Sequence, residues 1–199
     1  MRRMAYSEAP IVVVLDRLVL LLMVLALAAI LTAAMILQVG FGEIPCPLCL
    51  LQRVAMFGCC FGLIQQLRAE KSERGTERGT ERGSGIGLVF AVLLLVISAR
   101  QTLLDIVPRP GHAYVGQAVF GIHMPVWSVV IAVVLLAGFA IRFALFGAPR
   151  AAPDTGDSLM RRCARWLEVY VVFLCAINFI AVVLQCGLGE CHTFGYRFL

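Results

Sequence analysis

The chain has 199 residues, of which 61% are hydrophobic and only 15% are charged. Soluble domains average about 45–50% apolar and about 25% charged residues, so this composition excludes an ordinary soluble domain and indicates a small membrane protein. The net charge of +5 comes from basic residues spread over short loops, which argues against nucleic acid as a partner.

Five apolar segments follow one another along the chain, and each is near the ~20 residues that a membrane-spanning helix requires. Lipid cannot satisfy exposed backbone polar groups, so each segment is predicted to be helical. The first apolar run is too long for a cleaved signal peptide and is interpreted as a retained span. The predicted spans are residues 12–39, 48–67, 86–107, 126–146 and 166–185.

The basic residues predict the orientation of these spans. Thirteen of the seventeen Lys and Arg residues fall on the side that holds the N-terminus, and cytoplasmic loops are enriched in these residues. The sequence therefore predicts a multi-pass protein of the bacterial inner membrane with a cytoplasmic N-terminus. Because the number of spans is odd, the C-terminus is predicted to be periplasmic.

Two polar segments are predicted to be flexible linkers between spans. Residues 71–84 contain a repeated Glu-Arg-Gly-Thr unit that is too polar and too rich in glycine to pack, and residues 149–158 are rich in alanine, proline, aspartate and glycine. The predicted organisation is a four-helix membrane core (residues 1–147), a cytoplasmic linker (148–165) and a fifth span with a periplasmic tail (166–199).

Cys46 and Cys49 open the second predicted span, on its periplasmic side. Two cysteines separated by two residues can close a small disulfide, and the amide dipoles of a helix N-terminus favour the thiolate. Pro47 suits the first turn of a helix. A purely structural disulfide is the alternative, whereas a metal site needs two further ligands that the first loop does not supply.

Arg53 lies four residues after Cys49, one helical turn deeper in the predicted span. A charge within the membrane is costly and marks a candidate functional site. Its guanidinium can stabilise the thiolate and donate a hydrogen bond to a quinone carbonyl. The alternative is an arginine that extends to the membrane interface without a chemical role.

Residues 45–58, Pro-Cys-Pro-Leu-Cys-Leu-Leu-Gln-Arg-Val-Ala-Met-Phe-Gly, resemble the active-site signature of the DsbB family of disulfide-bond-forming quinone reductases. Residues 98–100 (Ser-Ala-Arg) resemble the family's stretch near the end of the third helix. Residues 121–127 resemble the Gly-x-x-Met-Pro-x-Trp motif that opens its fourth helix. The resemblance covers about residues 12–146. The expected fold is an all-α membrane protein, a four-helix transmembrane bundle with a fifth C-terminal transmembrane helix.

The resemblance also implies a function. The chain would be a membrane thiol:quinone oxidoreductase that reoxidises a periplasmic thioredoxin-like partner of the DsbA type. Cys46 would exchange with the incoming thiol, Cys49 would lie beside the quinone ring, and Arg53 would be its electrostatic partner. The implied cofactor is ubiquinone or menaquinone.

The chain departs from the family in the loop between the third and fourth spans. The family carries a second cysteine pair there, whereas residues 108–125 contain no cysteine. Cys186 and Cys191 follow the fifth span on the same predicted side, and the two glycines between them allow a tight loop that brings them within disulfide distance. We expect this pair to replace the missing one as a thiol shuttle; an inert terminal disulfide is the alternative.

The four remaining cysteines are predicted to be inert, three as apolar filling of their helices and one on the reducing cytoplasmic side. They are, in that order, Cys59, Cys60, Cys175 and Cys163. His112 and His123 lie in a loop without further ligands, so no metal site is expected. Two other functions stay open: a non-catalytic subunit or scaffold of a larger complex that kept the fold, and a family member with a dedicated client.

Overall fold

The computed structural model describes residues 10–42, 44–69, 76–106, 118–119, 121–146 and 158–187. Within these ranges five α-helices are long and apolar enough to cross a membrane. They are α1 (Pro10–Gly40), α2 (Pro47–Ala69), α3 (Thr76–Ile106), α4 (Met124–Phe146) and α5 (Ser158–Cys186). The predicted fold class, an all-α membrane protein with a fifth C-terminal helix, is confirmed.

The centre of the bundle is apolar and lies between α1, α2, α3 and α4. Leu27, Leu63, Leu94 and Phe139, one from each of these helices, are almost completely buried. Many other large apolar side chains are exposed on the outer faces of the helices. That distribution is expected where hydrocarbon and not water surrounds the bundle, because lipid imposes no penalty on apolar side chains.

Glycines allow α2 and α3 to pack backbone against backbone, as small residues do between membrane helices. A Cβ atom on Gly62 would lie only 2.4 Å from the backbone nitrogen of Gly87, and one on Gly83 would lie 2.7 Å from the carbonyl oxygen of Gly62. On its other side, Gly87 is covered by the ring of Phe139 from α4. The close packing of α3 against α2 and α4 therefore depends on the absence of side chains at three positions.

The predicted flexible linker at residues 71–84 is wrong in its second half, because α3 begins at Thr76. Thr80 and Ser84 are buried, and Gly83 contacts α2 directly. The glycines suggested flexibility in the sequence, but in the structure they permit close helix packing, and this packing outweighs their low helix propensity.

α5 packs against α1 and α2. It begins at Ser158, eight residues before the predicted fifth span, so the last part of the predicted cytoplasmic linker is helical. The hydroxyls of Thr32 in α1 and Tyr170 in α5 lie 2.7 Å apart. Arg68 of α2 forms an ion pair with Glu168 of α5. Polar contacts thus attach α5 to the four-helix core.

A buried ion pair connects α1 and α4 at the end of the bundle away from the first cysteine pair. The Arg142 guanidinium contacts both carboxylate oxygens of Asp16, at 2.5 and 2.9 Å. It also donates a hydrogen bond to Gln66 of α2. Because Arg142 is only 3% exposed, the bidentate carboxylate contact compensates for burying its charge.

A short hairpin precedes α4. β1 (Ala118–Val119) pairs antiparallel with β2 (Ile122–His123), and Gly121 between them has a positive φ of 76°, which suits glycine in a tight turn. His123 is exposed, while His112 lies outside the described residues. In the part of the chain that the structure describes, no group of His, Cys, Asp or Glu is arranged to hold a metal ion.

Candidate active site

The first cysteine pair lies where α2 begins. Cys46 precedes the helix, Pro47 is its first residue and Cys49 is in its first turn. The backbone N–H of Cys49 donates a hydrogen bond to the Cys46 Sγ at 3.1 Å, so the sulfur of Cys46 acts as a helix N-cap acceptor. Both side chains are free thiols in the structure.

The two thiols have different surroundings. Cys46 is 8% exposed, whereas Cys49 is only partly buried. The pKa of Cys46 is raised, first because its protonated form hydrogen-bonds to the Cys49 side chain and second because burial disfavours the charged form. Cys49 lies among the free amides of the first turn of α2, which favour negative charge. The geometry thus keeps a proton on Cys46 and favours charge on Cys49.

A glutamine of α3 contacts both sulfur atoms. The Nε2 of Gln101 lies 3.3 Å from the Sγ of Cys46 and 3.4 Å from the Sγ of Cys49. The other atom of the amide, Oε1, accepts a hydrogen bond at 2.9 Å from the Nε2 of Gln52 in α2. Because its oxygen is used in this way, the amide presents its N–H groups to the sulfurs.

The hydrogen-bonded network continues from Gln52 to α3 and α4. Its Nε2 also donates to the hydroxyl of Ser98 at 3.2 Å. Its Oε1 accepts from the hydroxyl of Ser128 at 3.2 Å. Gln52 and Gln101 are each 4% exposed. Three helices therefore contribute to one buried polar network that ends at the two sulfurs.

The Arg53 guanidinium is directed into the bundle, with the side chain only 8% exposed. Its Nη1 lies 2.5 Å from the Oε1 of Gln38 in α1 and 3.2 Å from the Oδ1 of Asn178 in α5. Its Nη2 donates to the carbonyl oxygen of Ala34 at 3.1 Å. These neutral acceptors from α1 and α5 hold the guanidinium inside the bundle, one helical turn along α2 from Cys49.

The end of α5 lies at the same site. The Nε2 of Gln185 donates to the carbonyl oxygen of Pro45 at 2.8 Å, which places the next residue, Cys186, in the neighbourhood of Cys46. Cys186 is 4% exposed and disulfide-bonded. Its predicted partner, Cys191, lies outside the described residues.

The other cysteines lie away from this cluster. Cys59 and Cys60 are completely buried in α2, as predicted for apolar filling. The same prediction is wrong for Cys175, which is exposed, as is Cys163. The reason is that α5 packs on the edge of the bundle and buries only one face, so half of its apolar positions face outward.

Sequence reasoning missed a set of amide side chains that surround the cysteine pair. All are buried. Each lies in an otherwise apolar span, in the part of its helix that is near the start of α2. A polar side chain within a span is costly and marks a functional site by default, and this signal would have identified them. They are Gln38, Gln52, Gln101, Asn178 and Gln185.

The donor set suits a ligand with carbonyl oxygens that become hydroxyls on reduction. Arg53 brings charged N–H donors next to the helical turn that carries Cys49. The Oε1 of Gln185 is a buried acceptor that has no hydrogen-bond partner among the described residues. A sulfur that favours negative charge, a cationic donor and a spare acceptor fit a quinone, the cofactor that the sequence resemblance implies.

A family model described as "Disulfide bond formation protein DsbB" matches residues 16–113 of the chain. No curated protein and no solved structure matches it. The matched range contains Cys46, Cys49, Arg53 and Gln101. The match ends before α4 begins. Asn178, which accepts a hydrogen bond from Arg53, therefore lies in a helix outside the matched range.

Proposed function

Over residues 16–113 the chain belongs to the DsbB family of disulfide bond formation proteins, and from this premise we propose that it is a membrane thiol:quinone oxidoreductase. It reoxidises a periplasmic DsbA-like dithiol and passes the electrons through Cys46 and Cys49 to ubiquinone or menaquinone. The observation that carries the proposal is the contact of both sulfurs with Gln101 at a helix start, one turn from the buried charge of Arg53.

In the proposed electron path, electrons enter at the terminal cysteine pair. A thiolate of the partner attacks the Cys186–Cys191 disulfide, and exchange leaves the partner oxidised and this pair reduced. The new dithiol then reduces the Cys46–Cys49 disulfide, so two electrons and two protons pass from one pair to the next. The hydrogen bond between Gln185 and Pro45 supports this path, because it holds the end of α5 beside the first pair.

In the reduced first pair, Cys46 retains its proton and Cys49 carries the negative charge. The first-turn amides of α2 and the Arg53 guanidinium stabilise that charge. A bound quinone would accept two electrons, the proton of Cys46 and the proton that Cys49 releases to water on ionising. Arg53, oriented by Gln38 and Asn178, is the residue that would hold one of its oxygens. Because Cys46 is buried, its disulfide with Cys49 exchanges with the adjacent terminal pair and not with thiols in solution.

The shuttle role of the terminal pair is tested by replacing Cys186 and Cys191 with serine. We expect oxidation of the reduced partner to fall by at least about a hundredfold, because the entry point is lost. Quinone that co-purifies with the chain should stay at the wild-type level, since Arg53 and Cys49 are unchanged. The measurement is the rate of partner disulfide formation under anaerobic conditions, with bound quinone quantified after extraction.

A matched control replaces Cys163 and Cys175, the two exposed cysteines of α5, with serine. This variant also removes two cysteines, both from α5, and should turn over like wild type. If the Cys186→Ser, Cys191→Ser variant also turns over like wild type, the terminal pair is a structural disulfide and the proposed entry path is wrong.

A further inference from the structure

We propose that Gln101 is a positioning residue that raises the reduction potential of the Cys46–Cys49 pair, and that Gln52, Ser98 and Ser128 hold it in place. This inference deepens the proposed function and needs only one part of it, that the pair cycles between dithiol and disulfide. The role concerns the energy of the pair itself and is independent of which partner or quinone is used.

The first argument is the position of the Gln101 amide. One nitrogen lies within hydrogen-bonding distance of both Cys46 and Cys49, and an amide nitrogen carries two N–H donors, one for each sulfur. Hydrogen bonds to a charged acceptor are roughly twice as strong as those to a neutral one. Gln101 therefore stabilises the reduced pair, in which a sulfur carries charge, more than it stabilises the neutral disulfide.

The second argument is the direction of the network. The Ser128 hydroxyl donates to the Oε1 of Gln52, the Nε2 of Gln52 donates to the Oε1 of Gln101, and the Nε2 of Gln101 donates to the sulfurs. In this series of bonds, each donor lies on the side of its acceptor that is farther from the cysteine pair. Such chains polarise one another and strengthen the last bond in the series. The same contacts prevent the amide from turning its oxygen toward a thiolate, which would be repelled.

The third argument is the cost of burying these groups. Gln52, Ser98 and Gln101 are each less than 5% exposed, and a buried amide that loses a partner costs about 1–3 kcal/mol. An apolar residue at position 101 would have no polar atom that could be left without a hydrogen-bond partner. Maintaining a polar network across three helices is thus expected where its terminal hydrogen bonds serve the sulfurs.

The experiment measures the reduction potential of the pair in the purified full-length chain. The protein is equilibrated anaerobically in glutathione redox buffers at pH 8, free thiols are alkylated, and mass spectrometry of the peptide that carries Cys46 and Cys49 gives the reduced fraction. In Gln101→Leu, which keeps the size but removes the donors, we expect at least a tenfold shift toward the disulfide. For a two-electron couple this is about 30 mV more negative.

Three further variants separate a redox role from a structural one. Gln101→Glu should shift the potential in the same direction and by at least as much at pH 8, because its carboxylate faces the sulfurs. Ser128→Ala should give a smaller shift of the same sign, since it releases only the far end of the chain. Thr102→Val, which removes the bond from the Thr102 hydroxyl to the Ser98 carbonyl but touches neither sulfur, should keep the wild-type potential.

A wild-type potential in Gln101→Glu, or in Gln101→Leu, overturns the inference and leaves Gln101 as a structural amide. If Gln101→Leu does not assemble, Gln101→Glu and Ser128→Ala still decide the matter. Failure of the proposed function gives a different result: in the wild-type chain itself, the Cys46–Cys49 pair would not respond to the redox buffer.

Discussion

At the residue scale, the chemistry depends on the fact that Cys46 lies before α2 and Cys49 lies within its first turn. Cys46 accepts the capping hydrogen bond of the helix and is buried. Cys49 has the helix amides around it and Arg53 on the next turn. Two residues of the same type thereby have different surroundings, and in the proposed mechanism one retains a proton while the other carries charge.

The raised pKa of Cys46 leads to a prediction about its reactivity. A thiol with a raised pKa is less ionised than a free thiol at every pH up to that value, and the thiolate is the reactive form. In the reduced protein, the iodoacetamide alkylation rate of Cys46 should keep rising beyond pH ~8.5, where ionisation of a free cysteine is half complete. The measurement is peptide-resolved mass spectrometry, with N-acetylcysteine in the same solution as reference.

Cys49 in the same peptide is the internal comparison, and it should react faster than Cys46 at pH 7. If the rate for Cys46 levels off at or below the pH at which N-acetylcysteine does, then the buried, hydrogen-bonded environment of Cys46 does not hold its proton. The assignment of charge to Cys49 would then be wrong.

Individual residues were predictable from the sequence only where a motif marked them. The spacing of Cys46, Cys49 and Arg53 is local, so it is visible along one helix. Gln101 and Asn178 reach the cluster from other helices, and their contacts depend on helix rotation, which spacing within one span does not determine. Their polarity within apolar spans was the available signal.

At the element scale, the pairing of α2 with α3 fixes the geometry of the site, because these helices carry the cysteines and Gln101 respectively. Apolar length was sufficient to predict all five helices, since a bilayer requires it. The starts of α3 and α5 were not predictable in the same way. Both helices begin with polar residues that resemble linkers, and tertiary contacts made by Gly83 and Glu168 become apparent only in the folded bundle.

Gly62→Ala should destabilise the bundle, because the new Cβ would meet the backbone of Gly87 at 2.4 Å and neither helix can yield without separating. Overpacking of this kind costs about 1–3 kcal/mol. The measurement is thermal unfolding in detergent, followed by circular dichroism, for purified wild type and variant. The midpoint for Gly62→Ala should fall by several degrees.

Gly85→Ala is the matched control for Gly62→Ala, since Gly85 is an exposed glycine of α3 with nothing within 4 Å of its Cβ position. It should be neutral or stabilising, because alanine favours the helix over glycine by up to about 1 kcal/mol. Equal midpoints for the two variants would contradict the close contact between α2 and α3.

At the scale of the whole molecule, an apolar core separates two buried polar clusters in the described part of the chain. One is the buried pair of Arg142 and Asp16, which connects α1 and α4. The other is the cysteine cluster, to which all five helices contribute a side chain. The DsbB family model matches residues 16–113, and α5 adds Asn178 and Gln185 to the site from outside that range.

In the proposed electron path, α5 supplies the second cysteine pair that the loop before α4 lacks. The sequence suggested Cys186 and Cys191 as a replacement for the missing pair, from their number and spacing, and this role stays a prediction. The sequence was not sufficient to show that Gln185 contacts Pro45. That contact joins residues 140 positions apart, and it depends on how α5 docks against the core.

The most direct test of the central claim is anaerobic mixing of the purified protein with a reduced DsbA-like protein and a water-soluble quinone, followed by the quinone absorbance. The wild-type chain should reduce one molecule of quinone for each partner disulfide that forms, and Cys49→Ser should reduce none. A correctly folded wild-type chain that leaves both the quinone and the partner dithiol unchanged would contradict the claim and favour a non-catalytic scaffold.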